Sequence, residues 1–295
     1  MNVLLTGAKG MLAADVKITA PESVSLIETD LEELDITDAD AVLAFCDDHH
    51  PDLILNCAAY TAVDNAESNC ETAFAINERG PANLAAACSR LSIPFVHVST
   101  DFVFFGDGSH ELSEDDRPAP RGVYAESKRA GEIAIERAGC PWLTVRTSWL
   151  YGLRGKNFPD TMLGLAAERD RLTVVHDQKG SPTYACDLAR ALWQLIEKNA
   201  QGYVHFSNRG VCSWFDFAVE TIRQAKDIGL LSADRHVEVV PVTSDEFKRP
   251  APRPEYSGMS TEKFTRLTGC PPRLWQEALK DFLTEKYREQ SKQPC

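Results

Sequence analysis

The first thirteen residues constrain the fold more tightly than any other stretch. Val3-Leu4-Leu5 is a short apolar run that stops at Thr6-Gly7-Ala8-Lys9-Gly10-Met11-Leu12-Ala13. An apolar run ended by glycines and followed by helix-forming residues reads as a buried strand, a tight turn and a helix start. Gly7 and Gly10 allow the turn and let the backbone come close to a pyrophosphate, while the helix N-terminus offers that anion free N–H groups. The spacing is G-x-x-G-x-x-A, and alanine at the third position still permits close helix–strand packing. A plain strand–helix turn with two glycines has the same appearance; the N-terminal location after a strand favours dinucleotide binding.

The strand–helix alternation continues. Residues 25–30 read as a second strand and its exit, where Asp30 can bond adenosine ribose hydroxyls as in NAD binders. Lys9 points the other way, toward a 2′-phosphate, so the choice between NADH and NADPH stays open. Asp35 and Ile36 lie near where an adenine ring would rest, and Thr37 or Asp38 suits the N-cap of the next helix. A buried strand over 52–61 leads to a small-residue corner, followed by a long helix over 73–91 that carries Asn77. A further buried strand over 95–104 ends in hydroxyls and an acid. In open α/β sheets ligands bind beyond the carboxyl ends of strands, which places Thr100 where a substrate carbonyl could meet a hydroxyl. Residues 106–123 read as a loop and 142–152 as a strand with an aromatic exit.

This pattern predicts an α/β fold with a doubly wound, Rossmann-like parallel sheet. Residues 1–150 would form a dinucleotide-binding domain, with return elements from about 172–206. Residues 151–295 would mainly form a smaller substrate-binding lobe, with helices over 157–169, 187–198, 214–225 and 275–287 and strands over 172–175 and 203–206. Within it, Arg249-Pro250-Ala251-Pro252-Arg253-Pro254 has no regular pattern; its arginines could clamp a diphosphate bidentately, and a solvated loop is an equal reading from the residues alone.

Chemistry concentrates at Tyr124-Ala-Glu-Ser-Lys128, inside a predicted helix over 123–134. One helical turn separates the two side chains, so the phenol and the ammonium share a face. A phenol near pKa 10 exchanges protons poorly at neutral pH, and a neighbouring cation lowers that value. Tyr beside Lys is therefore a proton donor suited to a carbonyl receiving hydride. Chance alone could supply one such pair in a chain with seven tyrosines, so its weight comes from the strands before it.

Composition narrows the partners. A net charge of −13 argues against a general nucleic-acid surface but permits a local basic pocket for a small anion. No long uncharged apolar run or signal peptide is visible, so neither a membrane span nor export is expected. Nine dispersed cysteines without CxxC pairs fit a reducing cytoplasm. No metal-ligand spacing stands out.

Together, Thr6-Gly-Ala-Lys-Gly10, Asn56-Cys-Ala-Ala-Tyr-Thr-Ala-Val-Asp64-Asn-Ala-Glu67, Ser99-Thr-Asp-Phe-Val-Phe104, Tyr124-x-x-x-Lys128, Arg146-Thr-Ser-Trp149 and Asp177-Gln-Lys-Gly-Ser-Pro-Thr183 form an ordered set. The chain resembles the extended short-chain dehydrogenases/reductases, and among them the dTDP-4-dehydrorhamnose reductases, over nearly its whole length. The resemblance implies NAD(P)H-dependent reduction of the C4 ketone of dTDP-4-dehydro-L-rhamnose. Tyr124 would protonate the C4 oxygen, Lys128 would hold the nicotinamide ribose and lower the Tyr124 pKa, and Thr100 would bond the same oxygen. Gly7, Gly10, Met11, Leu12, Asp30, Asp35, Ile36, Ala59, Tyr60 and Thr61 would contact the cofactor. Asp101, Trp149, Val63 and Arg253 would serve the dTDP-sugar.

Two positions depart from the pattern. Phe102 replaces a frequent tyrosine, removing one substrate hydrogen bond. Asp15 and Cys186 stand where some members carry glutamates that hold magnesium between two subunits, so no metal is carried over, although a homodimer remains compatible. Two alternatives stay open: a reductase of another 4-keto-6-deoxy sugar nucleotide, and a non-catalytic regulatory subunit on the same fold, as in the β subunit of methionine adenosyltransferase.

Overall fold

A computed structural model describes residues 1–105 and 110–292. Six parallel strands form the central sheet, in the spatial order Gly202–His205, Trp142–Thr147, Phe95–Thr100, Leu53–Asn56, Asn2–Thr6, Ser25–Thr29. The first strand lies between the second and third, so the chain steps outward once and then crosses back. The crevice at the carboxyl end of Asn2–Thr6 is therefore the place where such sheets bind ligands. Both faces of this strand are covered, which is why it reads as an unbroken apolar run rather than an alternating one. Val3 and Leu5 point into a core shared with helices Met11–Ile18 and Ala185–Glu197, and Leu4 points into one shared with Ala39–His49 and Gly80–Leu91. Asp38 is the N-cap of Ala39–His49, accepting from the N–H groups of Asp40 and Ala41, while Thr37 turns to Asp35.

A separate core is built by helices Phe158–Glu168, Trp214–Ile228 and Trp275–Lys292 around Tyr151, Tyr184, Phe217 and Phe282. Strand Arg171–Val175 pairs here with Glu238–Val242, whereas Gly202–His205 joins the central sheet. Strand Glu238–Val242 and helix Glu262–Thr268 were not anticipated from the sequence. The strand interrupts its own β pattern with Pro241, which an edge tolerates.

Three expected elements are interrupted where the site forms. The helix expected over 73–91 divides into Cys70–Phe74, a wide π-type turn Ala75–Arg79 and Gly80–Leu91. The extra residue in that turn brings Asn77 toward the Tyr60 backbone, and such bulges accompany functional sites. Helix Val123–Arg137 approaches so closely that a Cβ on Gly131 would lie 2.0 Å from the Asn77 carbonyl oxygen. The strand expected over 95–104 stops at Thr100 and tightens into a single 3₁₀ turn, Asp101–Val103. Thr100 causes this by accepting the Phe102 N–H on its own hydroxyl, 3.2 Å away. The strand expected over 142–152 breaks between Thr147 and Leu150, where Trp149 adopts a left-handed φ of 46°. Of the loop expected over 106–123, residues 106–109 lie outside the described residues, and residue 123 already begins the helix Val123–Arg137.

Candidate active site

The glycine turn fits a dinucleotide on steric grounds. Gly7 has φ +69°, and a Cβ there would sit 2.7 Å from the Ala58 backbone, so only glycine fits. Gly10 caps helix Met11–Ile18 without any side-chain hydrogen bond to the helix, leaving first-turn N–H groups to meet a ligand. Asp30 accepts the Lys9 N–H at 2.9 Å beside this turn, and the Lys9 ammonium is held by Glu32 at 2.6 Å. Ile36 is packed into the core, so close to Gly80 that a Cβ there would meet its side chain. Asp35 is tied to Thr37.

Ala59, Tyr60 and Thr61 form the corner after strand Leu53–Asn56. Asn77 pins it: its side chain accepts from Tyr60 N at 2.8 Å and donates to Tyr60 O at 3.1 Å and Ser127 Oγ at 3.0 Å. Ser127 in turn donates to Tyr124 O. One buried amide thus ties the corner to the helix of Tyr124 and Lys128. The same helix is fastened further along by a buried bidentate pair, with Arg146 donating to both oxygens of Glu132 at 2.8 Å.

Tyr124 lies in an apolar pocket of Val63, Tyr60, Phe102 and Val123. Burial pushes its phenol up to about 12; the hydrogen bond with Thr100 acts in the lowering direction and the charge of Asp101 in the raising one. The lowering expected from Lys128 does not dominate in the free site, because the amine is turned elsewhere. Its Nζ donates to Val98 O at 2.8 Å and faces His97 Nε2 at 3.2 Å. Burial depresses Lys128 to about 8. Tyr124 is therefore a neutral donor, the form needed to give a proton to a carbonyl oxygen.

Thr100 donates to Asp101 at 3.1 Å, and burial lifts the Asp101 carboxyl to about 6. Its Oδ2 makes no direct hydrogen bond among the described residues, although the Ser257 and Thr100 hydroxyls act on the carboxyl in the lowering direction. Phe102 packs edge-on against Tyr124 at 5.5 Å and carries the guanidinium of Arg253 over its face at 5.7 Å. The position that lacks a hydroxyl therefore links the phenol to an arginine. Arg253 donates to Asp64 at 2.9 Å, and Arg249 lies 3.5 Å from the same carboxylate.

Both arginines line a cavity of about 670 Å³ whose walls include Phe158, Met162, Gln178 and Trp214. Trp149 does not line it; its ring stacks on Trp214 at 3.5 Å and 7°. A Cβ on Gly180 would strike the Trp149 ring at 2.7 Å, so the backbone of the Gln178-Lys-Gly-Ser stretch lies flat against it. The left-handed Trp149 backbone is the kind of local strain that gathers at functional sites.

Sequence reasoning missed Trp214, Asp64, Asn56 and His97 as site residues. Only His97 carried a usable signal: a histidine inside an otherwise apolar strand must find buried partners.

The parallel sheet with its glycine turn, and Thr100 at the carboxyl end of its strand with Tyr124 and Lys128 in the first turns of the adjoining helix, define a short-chain dehydrogenase/reductase. Within that class the chain belongs to the RmlD substrate-binding domain family, whose model matches residues 1–288. It is 42% identical over 285 residues to a dTDP-4-dehydrorhamnose reductase of Mycobacterium tuberculosis, covering 94% of this chain and 91% of that one. A crystal structure of a dTDP-4-dehydrorhamnose reductase from Clostridium acetobutylicum superposes with a TM-score of 0.91 at 40% identity, covering 97% of this chain and all of that one. One from Bacillus anthracis in complex with NADP superposes at 0.90 and 38% identity, covering 96% and 99%.

Proposed function

We propose that this chain reduces the C4 ketone of dTDP-4-dehydro-L-rhamnose to give dTDP-L-rhamnose, with NADPH or NADH as reductant. The observation that carries the reading is the buried Tyr124 phenol, packed on Phe102, whose other face carries Arg253 of the large cavity. The bound nicotinamide supplies hydride to C4. Tyr124 gives its proton to the C4 oxygen as the alkoxide develops, and the Thr100 hydroxyl turns its proton from Asp101 to the same oxygen and orients it. The apolar pocket of Val63 and Phe102 keeps water from the phenol. Gly7, Gly10, Met11 and Leu12 hold the pyrophosphate, with the Ala59-Tyr60-Thr61 corner along the cofactor and Lys128 at its ribose.

Arg253 and Arg249 hold the substrate diphosphate, Phe158 and Trp214 wall the nucleoside, and Asp101 accepts from a sugar hydroxyl on its unpaired oxygen. In this reading residues 1–150, with the later elements that rejoin the sheet, carry the cofactor, and the remainder carries the nucleotide sugar. Eight described cysteines are free thiols, which supports a reducing cytoplasm.

The test is turnover of dTDP-4-dehydro-L-rhamnose by the purified chain. Loss of nicotinamide absorbance should match formation of dTDP-L-rhamnose mole for mole. Cofactor binding without any oxidation on adding the keto sugar would sink the reading in favour of a regulatory subunit.

A further inference from the structure

Where strand Ser25–Thr29 ends, the chain concentrates acid and omits base. No lysine or arginine occurs between Lys17 and Arg79, and the strand exit reads Asp30-Leu-Glu-Glu33. This exit faces the glycine turn directly. The Ala8 N–H donates to Thr29 O at 3.0 Å and the Lys9 N–H to Asp30 Oδ2 at 2.9 Å. The Asp30 carboxylate is thereby fixed at the edge of the proposed cofactor crevice, where the second strand of such sheets meets the adenosine ribose.

Its neighbours are fixed as well. The N–H groups of Glu33 and Leu34 donate to Asp30 O at 3.0 and 2.8 Å, closing one helical turn. Glu33 Oε2 folds back to accept the Asp30 N–H at 2.9 Å. The Lys9 ammonium reaches across to the same turn: Glu32 accepts it at 2.6 Å, and Glu33 Oε1 lies 3.8 Å away. Lys17, the next base in the chain, is held by Glu28 at 2.9 Å. Arg79 adjoins Gly80, whose close neighbour is Ile36 and not Asp30.

From this geometry we infer that the Asp30–Glu33 turn makes the chain select NADH over NADPH, with Glu32 and Glu33 holding Lys9 away from a 2′-phosphate. The inference rests on the glycine turn being the cofactor site, and it deepens that reading by naming the reductant. The two nucleotides differ only at the 2′ position of the adenosine ribose. One carries a hydroxyl there, the other a phosphate monoester of nearly two negative charges. Each Asp30 oxygen already accepts one backbone N–H, from Lys9 or Leu31, and keeps a lone pair for a ribose hydroxyl. A phosphate needs cations instead. An exposed ion pair is weak, so a phosphate could draw Lys9 off Glu32. Glu32 would then stand unpaired, with Glu33 still pinned beside it. The phosphate would face three carboxylates balanced by one ammonium, and the like-charge repulsion outweighs the single new pair. The nicotinamide end is the same in both nucleotides, so the choice is made at this turn.

Calorimetric titration of the intact purified chain, with NADH and NADPH added separately, tests this without turnover. NADH should bind about tenfold more tightly at low salt, and the gap should narrow as added salt screens the carboxylates. Glu32→Gln combined with Glu33→Gln should bring the two affinities together by strengthening NADPH. The double substitution frees Lys9 from both charges, while the amide oxygen at position 33 can still accept the Asp30 N–H. Adding Lys9→Ala to that pair should restore part of the gap. NADPH bound as tightly as NADH by the unaltered chain would overturn the inference, as would a folded double variant whose ratio does not move. If the double variant does not fold, the ratio of the unaltered chain and its salt dependence decide. Both of those failures leave the glycine turn standing as the cofactor site. Binding of neither nucleotide would remove that site and the inference with it. Failure to turn over the dTDP-sugar would sink the substrate assignment and leave the nucleotide ratio unaffected.

Discussion

At the Gly7–Gly10 turn a ligand would meet backbone; at the Arg249–Arg253 segment it would meet side chains. The first region needs only that Cβ atoms be absent and that a helix begin uncapped. Its geometry is set by one strand, one turn and one helix that are consecutive in the chain. The second region draws Asp64, Phe102, Phe158, Trp214 and Arg253 from well-separated segments, and each side chain is aimed by another: Arg253 by Asp64, Trp214 by Trp149. Backbone sites of the first kind tolerate change around them but not within them. Side-chain sites of the second kind lose function in steps, one contact at a time. Tyr124 lies on the seam between the two.

The seam should give the largest effect. Tyr124→Phe keeps the ring, its packing on Phe102 and the cofactor site but removes the donor, so kcat should fall by about 10²–10⁴-fold with little change in cofactor affinity. Retained kcat would mean that another group protonates the C4 oxygen, and the two regions would then meet elsewhere. Gly10→Asp tests the backbone region. A carboxylate beside a pyrophosphate at the helix N-terminus costs several kcal/mol, so cofactor affinity should drop on the order of 100-fold while dTDP still binds in titration calorimetry. Loss of both ligands together would show that the two regions are not independent.

Arg253→Ala probes the side-chain region. Removing one charge-assisted contact costs about 1.5–3 kcal/mol, so KM for the dTDP-sugar should rise by roughly 10–100-fold, with the cofactor dissociation constant unchanged. A rise confined to cofactor would move the diphosphate site away from Arg253. The smallest effect is expected at Asp15, on the first helix and near Glu285 of the last. Burial, and then Glu285, lift its carboxyl from 3.8 to about 6. A raised acid stabilises the fold only while protonated, so its contribution is complete below about pH 4 and is lost as pH rises through about 6. Asp15→Asn should therefore raise Tm by about 2–4 °C at pH 8 and leave it unchanged at pH 4, as read by calorimetry. An equal shift at both pH values would point to packing instead of charge.

Strands in the first half were legible where both faces are buried, as in Asn2–Thr6 and Leu53–Asn56, and helix Ala39–His49 was legible from its own cap, Asp38. What was not legible is every break: the π-type turn at Asn77, the stop at Thr100 and the left-handed Trp149. At Asn77 and Trp149 the chain gives up regular hydrogen bonds for a side-chain bond or a stack with another element, a partner that local propensity does not contain, whereas at Thr100 the competing bond is local, from its own hydroxyl to the Phe102 N–H. The Tyr124–Lys128 spacing is a property of one helix, so it could be read directly. The direction of the Lys128 side chain is not, because its Nζ is met by His97 and by the Val98 carbonyl, both on the fourth strand and about thirty residues away in the chain. The sequence by itself determined the sheet, the glycine turn and the residues capable of proton transfer, since these follow from periodicity and residue chemistry over a few positions. The tertiary structure alone decided which of those residues touch and which way each proton points, because hydrogen bonds among buried groups are directional and their partners lie tens of residues apart.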